Sequence, residues 1–356
     1  MTTAATDGML SAATLAEAVA AIFVAVGVAP ADAAIVAEDL VAADVEGVAS
    51  HGVMLVPMYV DRLRAGSVST ASTGEIVSDR EAAVVIDAHD ALGQLTARQA
   101  VGLAVERAKR YGLAAVTVRN AFHFGAAGRY ARMMADEGCV GMVMANTRPL
   151  MPAPGGAEPL TGNNPIAIAT PSAGAFAPEI DMALSAVAMG KIRNAAAAGQ
   201  PIPQGWAADK SGAGTTDPKA AIEGMLLPAA GPKGYGLAFI VDLLCGGLSD
   251  GAIGAEVAPL YGPAARPYRC ANLFLAIDAG HFVAPDVFAT RAGAELSRVS
   301  ATRRAPGVER VYAPGELAYA ARSCAAGRCR VSAAALTSLI DTARSLGLDL
   351  GHLLSN

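Results

Sequence analysis

The strongest constraint on the fold is an alternation of two kinds of segment between residues 82 and 145. Short runs rich in β-branched residues alternate there with longer amphipathic segments. The strand-like runs are 82–87, 113–119 and 139–145, and the helical segments are 94–110 and 126–137. Strands that alternate with helices of this length are typical of α/β folds. We therefore predict an α/β protein.

Helical segments precede this region. Two of them lie between residues 11 and 47, separated by a turn at 27–30, and a third spans 53–63. The run of small residues at 67–74 that follows indicates a boundary. A chain of 356 residues is long enough for roughly two domains.

The pattern becomes looser after residue 145. We predict a loop at 147–164, a strand at 165–170, a strand at 179–181 that leads into a helix through residue 198, a polar excursion at 199–218, a helix at 233–244, a strand at 272–278 and a helix at 285–300.

Composition and charge disfavour several classes of protein. The net charge is −5 and the lysines and arginines are scattered, which argues against nucleic-acid binding. The most apolar stretches, 18–31 and 237–248, are interrupted by Gly, Pro or Asp and fall short of the ~20 residues that a membrane-spanning helix needs. The first residues lack the basic segment of a secretory signal. We expect neither a nucleic-acid partner nor a membrane.

Cysteine usage indicates a reducing compartment. Five cysteines, an odd number in a long chain, do not suggest a disulfide scaffold. The sequence has no CxxC motif and no His/Cys cluster with zinc spacing. We therefore expect a cytoplasmic protein without a metal site.

Two of the five histidines lie next to small residues or glycines, where a turn can bring the backbone close to a ligand. They are His51, in Ser50-His51-Gly52, and His123, in the segment 120–125. Histidine titrates near neutral pH and is the usual proton carrier in catalysis. The alternative is that turn or core contacts satisfy both imidazoles.

The glycine fingerprint of dinucleotide-binding folds, G-x-G-x-x-G, does not occur. Gly212-Ala213-Gly214 begins like it, but Thr215-Thr216 breaks the pattern. A phosphate-binding loop and a nucleophile elbow are also missing from the sequence. If the chain binds a nicotinamide cofactor, it does so without the glycine turn of a doubly wound sheet.

Three further segments suit ligand binding. The loop 146–165 is rich in Gly, Pro and Asn, which leave backbone amides free for an anionic or amide-bearing ligand. Asp181 follows a strand, where its carboxylate can hold a ribose, orient a histidine or cap a helix. Lys233 lies between glycines at a helix start and suits a phosphate or carboxylate. The structural alternatives are a connecting loop, a helix cap and a surface turn.

Together these segments resemble the type-2 malate/L-lactate dehydrogenase family. This family also contains sulfolactate and ureidoglycolate dehydrogenases, diketogulonate reductases and piperideine-2-carboxylate reductases. The matching segments occur in family order between roughly residues 10 and 320. They are SHGVMLVPMY (50–59), NAFHFGAAGRYA (120–131), NTRPLMPAPGG (146–156), TGNNPIAIATP (161–171), DMALS (181–185), WAADKSGAGTTDP (206–218) and GPKGYGL (231–237).

The resemblance implies a non-Rossmann α/β fold with a helical N-terminal region and a mixed central sheet. It implies that residues 1–75 and about 300–356 form a helical, dimerising domain, and that 76–300 bind cofactor and substrate. The implied activity is hydride transfer between NAD or NADP and a small 2-oxo or 2-hydroxy acid, in a homodimer.

Site residues follow from the same resemblance. His123 matches the histidine that exchanges a proton with the substrate in some members, and His51 matches the one that does so in others. Ser50, beside His51, is expected to bind the substrate. Positions that contact the cofactor are matched by Thr147, Asp181, Met182, Ala183, Lys233, Gly315 and Glu316.

One position departs from the family pattern. Many relatives have an arginine where this chain has Leu55, and an arginine there would suit a substrate carboxylate. We hypothesise that Arg148 takes over part of this function, with Arg129 and Arg193 as further candidates. Reduction of a cyclic ketimine, oxidation of ureidoglycolate and a catalytically silent ligand-binding protein remain alternatives, and a serine hydrolase is a weaker one.

Overall fold

The structure is a computed structural model and describes residues 8–351. Its N-terminal region contains β1 (Gly8–Ser11), α1 (Ala12–Ala25), α2 (Pro30–Val45) and α3 (Val56–Arg64). The hydroxyl of Ser11 caps α1 by accepting the N–H of Thr14 at 3.3 Å. Pro30 begins α2, where its fixed φ suits the first helical turn. The predicted helix pair between residues 11 and 47 is confirmed.

The alternation predicted for the next region is also confirmed. It consists of β2 (Glu75–Arg80), β3 (Ala83–Asp87), α4 (Gly93–Tyr111), β4 (Leu113–Ala121), α5 (Ala127–Asp136) and β5 (Cys139–Ala145). Only β2 was not predicted. Nearly all of its residues are exposed, so it lacks the apolar run of its neighbours.

The second half contains many short elements. They are β6 (Met151–Pro152), β7 (Pro159–Thr161), β8 (Ile166–Ala169), β9 (Glu179–Met182), α6 (Met189–Ala197), β10 (Ala207–Ala208), β11 (Gly214–Thr215), α7 (Pro218–Glu223), β12 (Met225–Leu226), α8 (Pro232–Asp242) with a π turn at Leu243–Gly247, β13 (Cys270–Asp278), α9 (Pro285–Ser300), α10 (Glu316–Ala325), β14 (Arg328–Val331) and α11 (Ala333–Ser345).

The predicted helix directly after residue 181 is wrong over its first turns. Residues 183–188 are irregular, and α6 begins at Met189. The N–H of Leu184 donates to the carbonyl of Asn163 at 2.7 Å, and that of Ala186 to the carbonyl of Leu227 at 2.7 Å. These bonds to distant segments replace the bonds that a helix would make within itself.

The central sheet has seven strands in the order β2-β3-β4-β13-β5-β8-β9. Only β3 and β4 run parallel, and all other neighbours are antiparallel. β13 enters late in the chain and separates β4 from β5 at the centre of the sheet. This mixed sheet differs from the parallel sheet of a doubly wound fold and confirms the predicted non-Rossmann class.

Helices cover both faces of this sheet. α4 and α5 pack on one face, within the larger core that also includes α1, α2 and α3. α8 and its π turn pack on the other face, around Met144, Leu273 and Val241. β1 pairs with β14, which joins the two ends of the described chain. The division at residues 75 and 300 stays a prediction.

Two further properties of the described chain concern membranes and metal ions. Among residues 8–351, no helix is both long and apolar enough to cross a membrane. The same part of the chain contains no group of three His, Cys, Asp or Glu side chains that could hold a metal ion.

Candidate active site

Five strands begin or end side by side along one edge of the sheet, the edge that runs across the strands. The pairing places the ends of β4, β5 and β9 beside the beginnings of β13 and β8. The segments that leave this edge include those that carry His123, Thr147 and Ala183. Residues that are far apart in the sequence therefore converge on one side of the sheet.

Two imidazoles face each other at this edge. A short 3-10 turn, Ala49–His51, presents His51, and the loop after β4 presents His123. Their ring centroids are 5.5 Å apart and their planes differ by 25°. The hydroxyl of Ser50 lies 2.9 Å from Nδ1 of His51. The structure thus brings together the three residues expected near the substrate.

A buried tyrosine, which the sequence analysis did not identify, holds His123 in place. The hydroxyl of Tyr59, on α3, lies 2.8 Å from Nδ1 of His123 and 3.0 Å from its backbone carbonyl. Nε2 of Gln94, at the start of α4, lies 3.2 Å from the same hydroxyl. Tyr59 and Gln94 are both fully buried. Tyr59 lies within the matching segment 50–59, but nothing in its residue type singled it out.

These contacts favour one tautomer of His123. A phenol donates one hydrogen bond and can accept two. All three contacts are satisfied when Tyr59 donates to the carbonyl of His123 and accepts from Gln94 and from Nδ1–H of His123. Burial raises the pKa of Tyr59 well above its usual value, so the phenol keeps its proton. The neutral imidazole then has its free lone pair on Nε2.

Burial favours the neutral form of both imidazoles. It lowers the pKa of His51, because an imidazolium there has lost its water. Burial, with a smaller contribution from the charge of His51, lowers the pKa of His123 to about 3.

A close approach at Gly93 and an unusual backbone conformation at Asn120 fix the loop that carries His123. A Cβ on Gly93 would lie 2.4 Å from the carbonyl oxygen of Phe122 and 2.5 Å from that of His123, so only glycine fits there. Asn120 has a φ of 49°, which asparagine tolerates better than most residues. Its side-chain amide donates to both oxygens of Asp87, each at 3.0 Å.

Buried asparagines hold the loop 146–165 against the sheet and α8. Oδ1 of Asn164 accepts the N–H of Thr147 at 2.8 Å, and its Nδ2 donates to the carbonyl of Ala238 at 2.8 Å. Nδ2 of Asn146 donates to Asp242 at 2.9 Å. Both asparagines are fully buried. The loop is therefore anchored at the active-site side of the sheet, with Thr147 beside the beginning of β8.

Asp181 acts on a neighbouring helix rather than on the residues that follow it. Its Oδ2 accepts the N–H of Gly128 at 2.8 Å, in the first turn of α5. The interpretation of Asp181 as a cap for a helix directly after it is therefore wrong. Desolvation against α5 raises the pKa of its carboxyl, and the bond from Gly128 opposes that rise.

The surroundings of Lys233 suit a nicotinamide cofactor. Lys233 is exposed in the first turn of α8, and its ammonium makes no hydrogen bond or ion pair within residues 8–351. The N–H of Ala229 donates to the carbonyl of Leu184 at 2.9 Å, which places this turn beside the end of β9. β9 is an edge strand, and Met182 is exposed on it. A free cation and a helix start thus lie beside the end of an edge strand, and they match the phosphates and amide of such a cofactor.

Comparisons with known proteins agree with this geometry. The family model described as malate/L-lactate dehydrogenase matches residues 10–337. The chain belongs to this family. It is 37% identical to the L-sulfolactate dehydrogenase of Methanocaldococcus jannaschii over 291 residues, which is 82% of this chain and 83% of that protein. The structure of the sulfolactate dehydrogenase from that organism superposes with a TM-score of 0.91 at 32% identity, covering 97% of this chain and 99% of the other.

Two other members of the family differ in cofactor. The (2R)-3-sulfolactate dehydrogenase (NADP(+)) of Chromohalobacter salexigens is 39% identical over 258 residues, covering 72% of this chain and 77% of that protein. The ureidoglycolate dehydrogenase (NAD(+)) of Escherichia coli O157:H7 is 34% identical over 284 residues, covering 80% and 81%. Both names include a nicotinamide cofactor, in agreement with the surroundings of Lys233.

Gly315 and Glu316 lie at the other end of β9 from Met182. A Cβ on Gly315 would lie 2.9 Å from the carbonyl oxygen of Ala177, so α10 begins directly against the residues before the strand. Glu316 is buried and already occupied, because it accepts the N–H of Ala313 at 2.9 Å and pairs with Arg310. Its carboxylate therefore serves the chain itself, which leaves the start of α10 as the part that a cofactor could contact.

The structure separates the arginines proposed for substrate binding. Leu55 is buried in the larger core, and Arg148 is exposed, with one long bond to the carbonyl of Pro149 at 3.4 Å. Arg129 is occupied by ion pairs with Glu38 and Asp39 at 2.8 and 2.6 Å, which corrects its candidacy. Arg193 lies 5.7 Å above the ring of Tyr261.

The contacts of His123 predict its behaviour in NMR. Nitrogen shifts of histidine-labelled protein should report the Nδ1–H tautomer and a neutral ring throughout the neutral pH range. The substitution His51→Ala should raise the pKa of His123, because the repulsion from a protonated His51 disappears and water gains access to the ring. His89→Ala, at an exposed site outside the pair, is the matched control. An unchanged pKa in His51→Ala would contradict this electrostatic account.

Proposed function

We propose that the chain catalyses reversible hydride transfer between a nicotinamide cofactor and the 2-position of a small 2-oxo or 2-hydroxy acid of the malate, lactate or sulfolactate type. The observation that carries this proposal is the pair of facing imidazoles at the sheet edge, and the free ammonium of Lys233 and the open edge strand β9 support it. Family membership supports the same reaction class.

When bound, the cofactor supplies or accepts the hydride at its nicotinamide ring. The role of the protein is to move the proton. Reduction of a carbonyl leaves negative charge on its oxygen, and an N–H at Nε2 of His123 would protonate it. In oxidation, the neutral Nε2 would take the proton of the hydroxyl. Tyr59 keeps Nε2 as the exchanging atom by engaging Nδ1.

The lowered pKa values set a condition on reduction. Burial lowers the pKa of both imidazoles and so disfavours the protonated form that reduction requires. An anionic substrate beside them would favour an imidazolium, because an opposite charge within ~4–6 Å raises the pKa of histidine. Substrate binding and proton uptake should therefore be coupled. His51 is the second candidate donor, and its contact with Ser50 would orient it.

A panel of substrates and variants tests the reaction class. We expect turnover of 2-oxo or 2-hydroxy acids, followed at the nicotinamide absorbance, and a loss of kcat of roughly 10²- to 10⁴-fold in His123→Ala or His51→Ala. His89→Ala should keep normal activity. Turnover only of cyclic ketimines or of ureidoglycolate would select one of those alternatives. Cofactor binding without any turnover would identify a silent binding protein. Running the panel with both NAD and NADP settles the cofactor.

We propose that Arg148 binds the carboxylate of the substrate. It is an exposed guanidinium on the loop 146–165, and its single long bond leaves most of its donors free. In the position where many relatives have an arginine, this chain has the buried Leu55.

Removing this guanidinium should weaken substrate binding more than it slows chemistry. We expect Arg148→Ala to raise KM for 2-oxo acids roughly 10- to 100-fold, since hydrogen bonds to charged groups contribute about 1.5–3 kcal/mol. Arg110→Ala, on the last turn of α4 at the opposite edge of the sheet, removes the same charge and serves as the control. Steady-state kinetics gives both constants. An unaltered KM for every active substrate would eliminate this role, and Arg193→Ala would be examined next.

We propose a homodimer that forms through α8 and its π turn. Five large apolar side chains are exposed on this segment, and we call them the α8 face: Leu237, Phe239, Ile240, Leu243 and Leu248. Exposed apolar patches of this kind are typical of interfaces. The face belongs to the same helix as Lys233, so a partner there would border the cofactor region.

A charge placed on the α8 face should dissociate this dimer. We expect the wild type to sediment at about twice its 35.7 kDa and Phe239→Glu to sediment as the monomer. Phe282→Glu changes another exposed aromatic residue, which lies outside this face, and should leave the dimer intact. A monomeric wild type, or a dimeric Phe239→Glu, would refute this interface.

We also propose a reducing, cytoplasmic location. All five cysteines are free, including the exposed Cys324, which agrees with a compartment that keeps thiols reduced.

A further inference from the structure

We propose that Asp44 is the positioning residue of the turn that carries Ser50 and His51. This inference rests on the proposed function, because it assigns His51 a place near the substrate. Asp44 lies in the last turn of α2, and its carboxylate is buried beneath the turn. It contacts neither substrate nor cofactor residues, and it acts through the backbone.

The carboxylate of Asp44 occupies the space that a side chain at position 52 would need. A Cβ on Gly52 would lie 2.3 Å from both carboxylate oxygens. The φ of Gly52 is −96°, which any residue can adopt. Glycine is therefore required after His51 for space and not for backbone conformation. The glycine of the Ser-His-Gly motif is explained by this buried acid.

The same carboxylate fixes the next residue. Its Oδ2 accepts the N–H of Val53 at 2.8 Å, the first residue of the 3-10 turn Val53–Leu55. A helix start leaves its N–H groups without partners in the helix, and a carboxylate at this place satisfies one of them. His51 stands between two short turns, and Asp44 ties the second of them to α2.

Asp44 carries its charge without a cation. It takes part in no ion pair within residues 8–351, in contrast to Asp39 on the same helix. The groups that face it are the N–H of Val53 and, from β14, the thiol of Cys329, whose pKa is raised by burial and by the charge of Asp44. Burial raises the pKa of Asp44 to about 7. The bond to Val53 is charge-assisted above that pH and weakens as the carboxylate is protonated below it.

The pH dependence of kcat/KM separates this role from the titration of the imidazoles. The ratio reports the free enzyme, in which the pKa values of His51 and His123 are both lowered. We expect an inflection near pH 7 from Asp44, with activity falling as pH falls through it, and its loss in Asp44→Asn assigns it. Asp44→Asn should keep kcat within about threefold at pH 8, because its amide oxygen still accepts from Val53, and should lose the inflection.

Removing the acceptor has a larger effect. Asp44→Ala should lower kcat about tenfold or more, the effect of one lost hydrogen bond to a charged group. Gly52→Ala alone should be impaired through its clash. The double variant should be less impaired than the two single effects combined, because Asp44→Ala opens the space that the new Cβ needs. Asp32→Asn, which removes the same charge at the beginning of α2, is the control.

Each outcome decides the proposal. Asp44→Ala with wild-type kcat, Asp44→Asn with an unchanged inflection, or additive effects in the double variant would overturn it. An NMR titration of the His51 ring covers the cases of an unfolded alanine variant or an inactive wild type. The His51 signal of the wild type should sense a group that titrates near pH 7, and that of Asp44→Asn should not. If the wild type shows this titration but no turnover on the panel, the proposed function fails and the role of Asp44 stands.

Discussion

The hydroxyl of Tyr59 links the helical N-terminal region to the loop that follows β4 of the sheet. It reaches from α3 to the carbonyl and Nδ1 of His123, and Gln94 adds a contact from α4. Both polar side chains are fully buried, so loss of one partner would leave an unpaired group without water, which costs about 1–3 kcal/mol. The 3-10 turn Val53–Leu55 joins α3 to the turn that presents His51, so the contact of Tyr59 with His123 links the two segments that carry the imidazoles.

Glycines at two positions allow the site to be this compact. At Gly93 the backbone of the His123 loop takes the space of a side chain, and at Gly52 the carboxylate of Asp44 does so. In both places a backbone segment that carries a histidine lies against a buried helix end. The chain thus places its two imidazoles by packing of the backbone.

Local sequence pattern predicted the elements better than their arrangement. The alternation between 82 and 145 and the helix at 285–300 follow from residues within each segment, and the structure has them. The central place of β13 depends on pairing with β4 and β5, more than a hundred residues away, and no local pattern encodes that. Asp181 shows the same limit, because its carboxylate accepts a hydrogen bond from Gly128 on α5, which is distant in the sequence. Tyr59 could not be singled out, since a buried tyrosine looks the same in sequence whether it supports a core or an imidazole.

The burial of Leu55 explains why its position would not accommodate an arginine. Leu55 lies in the larger core, and a guanidinium at that place would have to leave the core or lose its water. Arg148 has no such conflict, because it is exposed on a loop that Asn146 and Asn164 hold in place. If Arg148 binds the carboxylate as proposed, the cation comes from the loop after β5 and not from the turn before α3. The anionic group and the carbonyl would then lie along a different line, and the shape of the preferred acid would change while its class stays the same.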